Sequence, residues 1–234
     1  MGIIAAESEY SYGYKAFNKL PVEFSLDTQY ISIENTTAVE LPAHLTGVSW
    51  GIETTLPFFK FSKTYLRLGV FPSFYSDDWN FDSSCFRIPA RSLLIYKPSD
   101  KLTFIAGIAV YPDFEKEIWP VLGLIYQPSG KLTFNLVPKR PNITYSLTEK
   151  LALFAEGGLA NSEFEVTKDE TKNVVLRYQE ARLAGGLKFK FNKFVHSSLA
   201  AGGIFNRALK YRDSLGKVNI KNGMYTEFRL EVKL

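Results

Sequence analysis

Along most of the chain, apolar and polar residues alternate one for one. The last stretch is the clearest: Phe228, Leu230, Val232 and Leu234 alternate with Glu227, Arg229, Glu231 and Lys233, so one face is apolar and the other ionic. Successive side chains of a strand point to opposite faces, and this period predicts a two-faced β-strand. The pattern recurs at Val48, Trp50 and Ile52 against Gly47, Ser49, Gly51 and Glu53, and at Leu66, Leu68 and Val70 against Tyr65, Arg67 and Gly69. It returns at Phe86 and Ile88 against Arg87 and Arg91, and at Leu183, Leu187, Phe189 and Phe191 against Arg182, Lys188 and Lys190. No helical period runs longer than a turn or two.

Repeated turns punctuate these strands. Tyr96-Lys97-Pro98-Ser99-Asp100-Lys101-Leu102-Thr103-Phe104 matches Tyr126-Gln127-Pro128-Ser129-Gly130-Lys131-Leu132-Thr133-Phe134, with a looser copy at 145–153. Phe59-Lys60-Phe61-Ser62-Lys63 matches Phe189-Lys190-Phe191-Asn192-Lys193. Pro, Ser, Asn, Asp and Gly supply turn geometry, and an aromatic precedes each turn. More polar, variable loops fall at 34–42, 73–84, 112–116, 137–141, 162–173 and 213–222. Tight turns set against these loops predict about twelve antiparallel strands, with ten or fourteen as alternatives. The spans are 22–33, 43–57, 63–72, 85–96, 101–111, 117–126, 131–136, 141–146, 151–161, 174–191, 194–212 and 223–234. Residues 1–21, with Tyr10, Tyr12 and Tyr14 alternating, are expected to be an N-terminal tail, periplasmic or packed in the lumen; a short strand is the other reading. Residues 22–234 make one barrel domain.

Alternating strands pack in two ways. A soluble barrel or sandwich turns its apolar faces inward, whereas a membrane barrel turns them to lipid and lines its interior with polar groups. Three features favour the second. Tight turns gather at one end and long loops at the other; aromatics collect at strand ends, where an interfacial girdle belongs. Gly47, Gly51, Gly69, Gly107, Gly123 and Gly202 sit among charged residues, as in a crowded interior. Closure also removes exposed strand edges. The fold class expected is therefore all-β: a transmembrane, antiparallel, up-and-down β-barrel.

Composition narrows the rest. The chain has 234 residues, 46% hydrophobic and 15% aromatic, which excludes disordered, collagen-like and coiled-coil classes. No apolar run is long enough for a membrane-spanning helix. A net charge of +4 with scattered basic residues gives no footprint for nucleic acid. Cys85 is the single cysteine, and His44 and His196 are the two histidines. Disulfides and metal sites built on Cys or His pairs are thereby excluded. The start of the chain lacks a basic, apolar leader, so the secretory signal that an envelope location calls for is expected to have been removed.

The final strand resembles the C-terminal assembly signal of bacterial outer-membrane barrels, with Leu234 in place of the commoner Phe. The Tyr-x-Pro-Ser-x-Lys-Leu-Thr-Phe hairpins are similar to those of small bacterial outer-membrane β-barrels of unassigned function. That resemblance implies a fold, the bacterial outer membrane as location, and no catalytic residues. The partners it implies are the lipid bilayer and lipopolysaccharide, the outer-membrane assembly machinery, and small solutes.

On this reading Arg67, Arg87, Arg91, Glu156, Glu180, Arg182, Lys188, Glu227, Arg229 and Glu231 line the lumen, with Glu23, Asp27, Glu53, Lys190 and Lys233 on the same side. Val48, Trp50, Leu66, Leu68, Leu187, Phe228, Leu230 and Val232 face lipid. Buried charges must pair or stay wet. Nearly balanced signs predict cross-strand ion pairs and a narrow or occluded lumen, where a selective pore would carry one sign. The expected function is a narrow, porin-like passive channel or a structural envelope protein. A lipid-modifying enzyme and a soluble barrel that binds an apolar ligand are the alternatives. Of candidate chemistry, His196 and Ser198 lie two apart on one strand, about 7 Å, too far for direct contact, and no third partner is evident. Asp77 with Asp78, and Asp169 with Glu170, lack the spacing of a calcium loop. Cys85 is expected to be inert. No catalytic residue, metal or cofactor is assigned.

Overall fold

The computed structural model describes residues 2–16, 20–36, 39–58, 61–77, 83–112, 114, 116–138, 140–168, 171–192, 195–212 and 216–232. The strands are β1 (Gly2–Ala16), β2 (Leu20–Glu34), β3 (His44–Pro57), β4 (Thr64–Val70), β5 (Ser73–Ser76), β6 (Phe86–Arg87), β7 (Ala90–Ser99) and β8 (Leu102–Val110). There follow β9 (Ile118–Tyr126), β10 (Leu132–Asn135), β11 (Asn142–Ser146), β12 (Leu151–Lys168), β13 (Thr171–Lys190), β14 (Val195–Tyr211), β15 (Lys217–Ile220) and β16 (Gly223–Val232). All belong to one sheet, in which sequence neighbours pair antiparallel.

The repeated turns share one device. Ser129 Oγ accepts the Leu132 amide at 3.2 Å, Thr148 Oγ1 the Leu151 amide at 3.0 Å, and Asn192 Oδ1 the Val195 amide at 2.8 Å. A short polar side chain thus holds the amide three residues on and starts the return strand. Above two of the repeated turns, aromatics pair across strands: Tyr96 stacks on Phe104 and Tyr126 on Phe134, all four facing out.

The strand plan differs from the expected meander in three places. Residues 1–21 are no tail over Gly2–Ala16, which pairs with β2 along its whole length, from Gly2↔Glu34 to Ala16↔Leu20. Its alternation continues that of β2, which is thereby paired on both sides, with β1 at the end of the sheet order. The loop expected at 73–84 contains β5 and a 3₁₀ turn, Ser83–Cys85, and the loop at 213–222 contains β15. Pro72 interrupts the ascent of β4, and the chain re-pairs as β5 with β3 at Thr46–Ser49. Ser76 of β5 then meets Glu165 of β12 in a parallel bridge. Nine strands, β3, β4, β7 to β12 and β5, thereby close on themselves, and the others flank this ring.

Register shows which residues share a face. Glu53, Gly69, Arg91, Ala109 and Trp119 lie side by side on β3, β4, β7, β8 and β9. Their face is interior. The opposite face carries the apolar residues: Phe228 is 68% exposed, Leu183 61% and Met224 89%. At the long-loop end the inward rows turn apolar. Ile31, Leu45, Phe164, Leu176, Tyr178 and Leu209 are fully buried against one another, with Tyr75 packed on them from β5.

Candidate functional site

Two ion-paired groups lie on the inward face, and a third, in which Glu163 pairs with Arg177 at 2.5 Å and Arg212 at 2.8 Å, is buried at the long-loop end. In the first, Glu53 accepts hydrogen bonds from Arg67 Nη2 at 2.7 Å and from Arg91 Nε at 2.5 Å. Arg67 Nη2 also donates to Glu23 at 2.7 Å. Glu23 and Glu53 are direct cross-strand neighbours on β2 and β3, so two like charges face each other. Such a pair is destabilising unless a cation sits between, and Arg67 supplies it. Gly69 stands between Glu53 and Arg91 in the ladder. A Cβ there would lie 2.7 Å from Glu53 Cγ, so the glycine is what lets Arg91 reach across two strands. The Arg91 guanidinium also lies 4.8 Å over the Phe71 ring.

The second group alternates in sign across the lumen. Arg229 bridges Glu156 on β12 at 2.9 Å and Glu227, its neighbour on β16, at 2.6 Å. Arg140, from the link between β10 and β11, donates to Glu227 at 3.1 Å. Arg182 binds Glu7 of β1 with two hydrogen bonds, 2.7 and 3.1 Å, and pairs with Glu180. Glu180 also accepts from Tyr178 and lies 3.7 Å from Arg207. Ala184, Ala200 and Gly202 are the small residues between β12 and β16 that leave room for these long side chains. Bidentate guanidinium–carboxylate contacts of this kind satisfy most of the charge that burial strips of water.

Arg67, Arg91, Glu156, Glu180, Arg182, Glu227 and Arg229 thus all take part in these ion pairs. Lys188 lies on the same face, donating to Thr144 at 3.3 Å with its ammonium 4.8 Å over Phe154. Arg87 does not join them. It sits on β6, in the strap that crosses to β12, 4% exposed, where it donates to the Glu163 carbonyl at 3.3 Å and covers the Phe114 ring. The break at Pro89 detaches Phe86–Arg87 from β7, so alternation carried across it misplaces this residue. Trp50, Leu68, Phe228 and Leu230 stand exposed on the outer face. Leu66 and Leu187 share it half-buried, and Val48 is partly covered by Phe74, its partner on β5. Glu231 and Val232 continue the register of β16, but their side chains lie outside the described residues, as do Asp78, Asp169, Glu170, Lys233 and Leu234.

Sequence reasoning passed over Glu7 and Arg140. Glu7 continues the alternation through Tyr10, Tyr12 and Tyr14, a signal too short to read on its own. Arg140 lies between two prolines in a link with no period. Arg207 was missed because a bulge at Asn206, φ 52°, puts an extra residue into β14 opposite Gln179–Ala181; Tyr178 keeps the phase of Glu180 and Arg182 on β13, but an aromatic ring does not announce a place among charges.

No hydrogen bond joins His196 to Ser198 among the described residues; they pair with Lys190 and Lys188 across the ladder. The His44 ring stacks on Tyr30. Asp77 accepts the Thr167 amide at 2.9 Å, which pins the strap to β12. Cys85 is buried in the 3₁₀ turn. Among the described residues no three His, Cys, Asp or Glu side chains gather to hold a metal ion. An apolar hollow of about 290 Å³ lies on the outer wall, lined by Leu68, Val70, Ile108 and Val110.

Residues 20–232 match the model of a family described as a domain of unknown function, DUF6268. The chain belongs to the DUF6268 family. The match opens on Leu20, the first residue of β2, and closes on Val232, the last of β16, so β1 lies outside the DUF6268 domain. No curated protein and no solved structure matches the chain. The DUF6268 domain is therefore all-β, a closed ring of nine strands with further strands attached, around a charge-paired interior.

Proposed function

We propose that this chain is a transmembrane β-barrel of the bacterial outer membrane, with a structural role and no open solute path. One observation carries the reading: the ionic rows face inward and the apolar rows outward. Water offers nothing to a belt containing Leu183, Met224, Phe228 and Leu230, whereas hydrocarbon does. The outward aromatics above the tight turns suit an interfacial girdle. The partners follow from the same belt: the bilayer, lipopolysaccharide on the outer side, and the assembly machinery that receives a two-faced final strand.

Between a passive channel and a closed envelope protein, two features favour the closed form. Guanidinium and carboxylate groups bridge the lumen from wall to wall, and the fully buried cluster around Phe164 and Leu176 roofs its long-loop end. The protein reconstituted in a planar bilayer is expected to show no steady conductance. A stable ohmic current with charge selectivity would restore the channel.

The bilayer itself is tested by Leu183→Lys. Near the middle of a lipid-facing belt this change costs about 2–4 kcal/mol. At an exposed position in water it stays within about 0.5 kcal/mol. Urea unfolding in liposomes should therefore show a large loss. An unchanged midpoint would sink the membrane assignment.

A further inference from the structure

The wall is not equally tall all round. β10 has four residues and β11 five, against eighteen in β12 and twenty in β13. β10 meets β9 only at Phe134↔Tyr126 and Asn135↔Ile125, and the Leu136 amide makes one last bond to the Leu124 carbonyl at 2.7 Å. Above it, among the described residues, Ile118–Gly123 of β9 pair with β8 alone. On the other flank β11 leaves β12 at Asn142↔Glu156, followed by the Gly157 amide on the Pro141 carbonyl at 2.9 Å. β12 then pairs with β13 alone until Glu165 meets the strap at Ser76. Six residues of unpartnered edge on β9 correspond to about 20 Å of strand.

This gap has a frame. Its sill is formed by residues 136–138 and 140–141, where Val137 packs against Gly123 and Arg140 turns inward to Glu227. Pro138 and Pro141 leave two fewer amides in the sill to satisfy. The lintel is β5, the 3₁₀ turn and β6. The jambs carry some of the most exposed apolar side chains of the wall, Leu122 at 72% and Leu159 at 82%. Behind the gap the inward face is aliphatic rather than ionic: Leu93, Ile95, Ile105, Val121 and Ile125, on β7, β8 and β9.

We infer that this gap is a lateral window through which an acyl chain of a surrounding membrane lipid enters the barrel and lies on the apolar wall of β7 to β9. The inference rests on the transmembrane reading. An apolar belt brings hydrocarbon to the opening, and an apolar wall inside continues it. A lumen meant only for water and ions gains nothing from five aliphatic side chains opposite its guanidinium groups. Unpaired backbone groups facing hydrocarbon are strongly unfavourable; at the window, water from the ionic half of the lumen and the ester carbonyls of the entering lipid can satisfy them.

Bimane labels read this directly. In a Cys85→Ser background, single labels are placed at Val121→Cys, facing in beside the window, at Leu122→Cys, facing out, and at Ser25→Cys, facing in on the unbroken wall of β2. The folded protein is reconstituted in phosphatidylcholine with brominated acyl chains, and again without bromine. The Val121 label is expected to be quenched by roughly the same factor as the Leu122 label, and the Ser25 label to be unaffected. Ile125→Cys repeats the inward reading should Val121→Cys fail to fold. Quenching at Leu122 with none at Val121 or Ile125 overturns the window and leaves the bilayer reading standing. Equal quenching at Ser25 overturns the window as the route. No quenching at Leu122 overturns the bilayer reading, and the window with it.

Discussion

Glu53→Gln is expected to destabilise the folded barrel by about 3–5 kcal/mol, the cost of removing one member of a buried ionic group. Glu53 is 5% exposed and is the sole carboxylate between Arg67 and Arg91. Without it, two guanidinium groups remain in a confined interior with only Glu23, itself half in water, to share. The neutral amide keeps the shape and removes the charge, so packing is not the variable. A triple variant, Arg67→Met with Glu53→Gln and Arg91→Met, supplies the contrast. Replacing a whole buried ionic group by apolar residues is often neutral, so the triple variant should unfold at higher urea than Glu53→Gln alone. Tryptophan fluorescence during urea unfolding in liposomes reads both. A single variant as stable as the parent would show the interior to be wet enough that these charges do not depend on each other.

Phe164→Ala should cost a similar amount, about 3–5 kcal/mol, through lost burial and the cavity left behind. Phe164 has no exposed surface and meets Tyr75 edge-on at 5.7 Å, joining the roof cluster to the strap. The cavity would open beneath β5, the segment that closes the nine-stranded ring. Leu159→Ala, on the same strand but facing out, should cost far less. Equal losses at the two positions would mean that the long-loop end is not a packed core. The same variant bears on conduction, because a thinned roof is where a leak should appear first in a planar bilayer.

How much of this could be read from the chain depends on the kind of interaction. Faces were legible because a one-residue slip would exchange outer-face and inner-face residues on an entire strand, so two unlike environments leave a period of two. Turns were legible because Ser129, Thr148 and Asn192 act on amides three residues away. Arg87, by contrast, was placed with the lumen charges because alternation was carried through Pro89, where the strand is interrupted. Arg140 and Glu7 gave little warning. Each finds its partner far along the chain, and nothing periodic marks a residue whose role is set by an interstrand crossing. β5 is the largest omission: four residues long, it looks like loop, and only its two edges, on β3 and β12, make it the clasp of the ring.

Local alternation and turn chemistry by themselves determined that this is an all-β chain, where most strands run, and which face of each is ionic. Those follow from side chains within a few residues of one another, whose geometry the backbone repeats. Only the tertiary structure decided which charges meet, that the roof is apolar, where the wall is low, and how the ring closes. Each of these depends on the radius and stagger of the whole sheet, a property that no single strand carries.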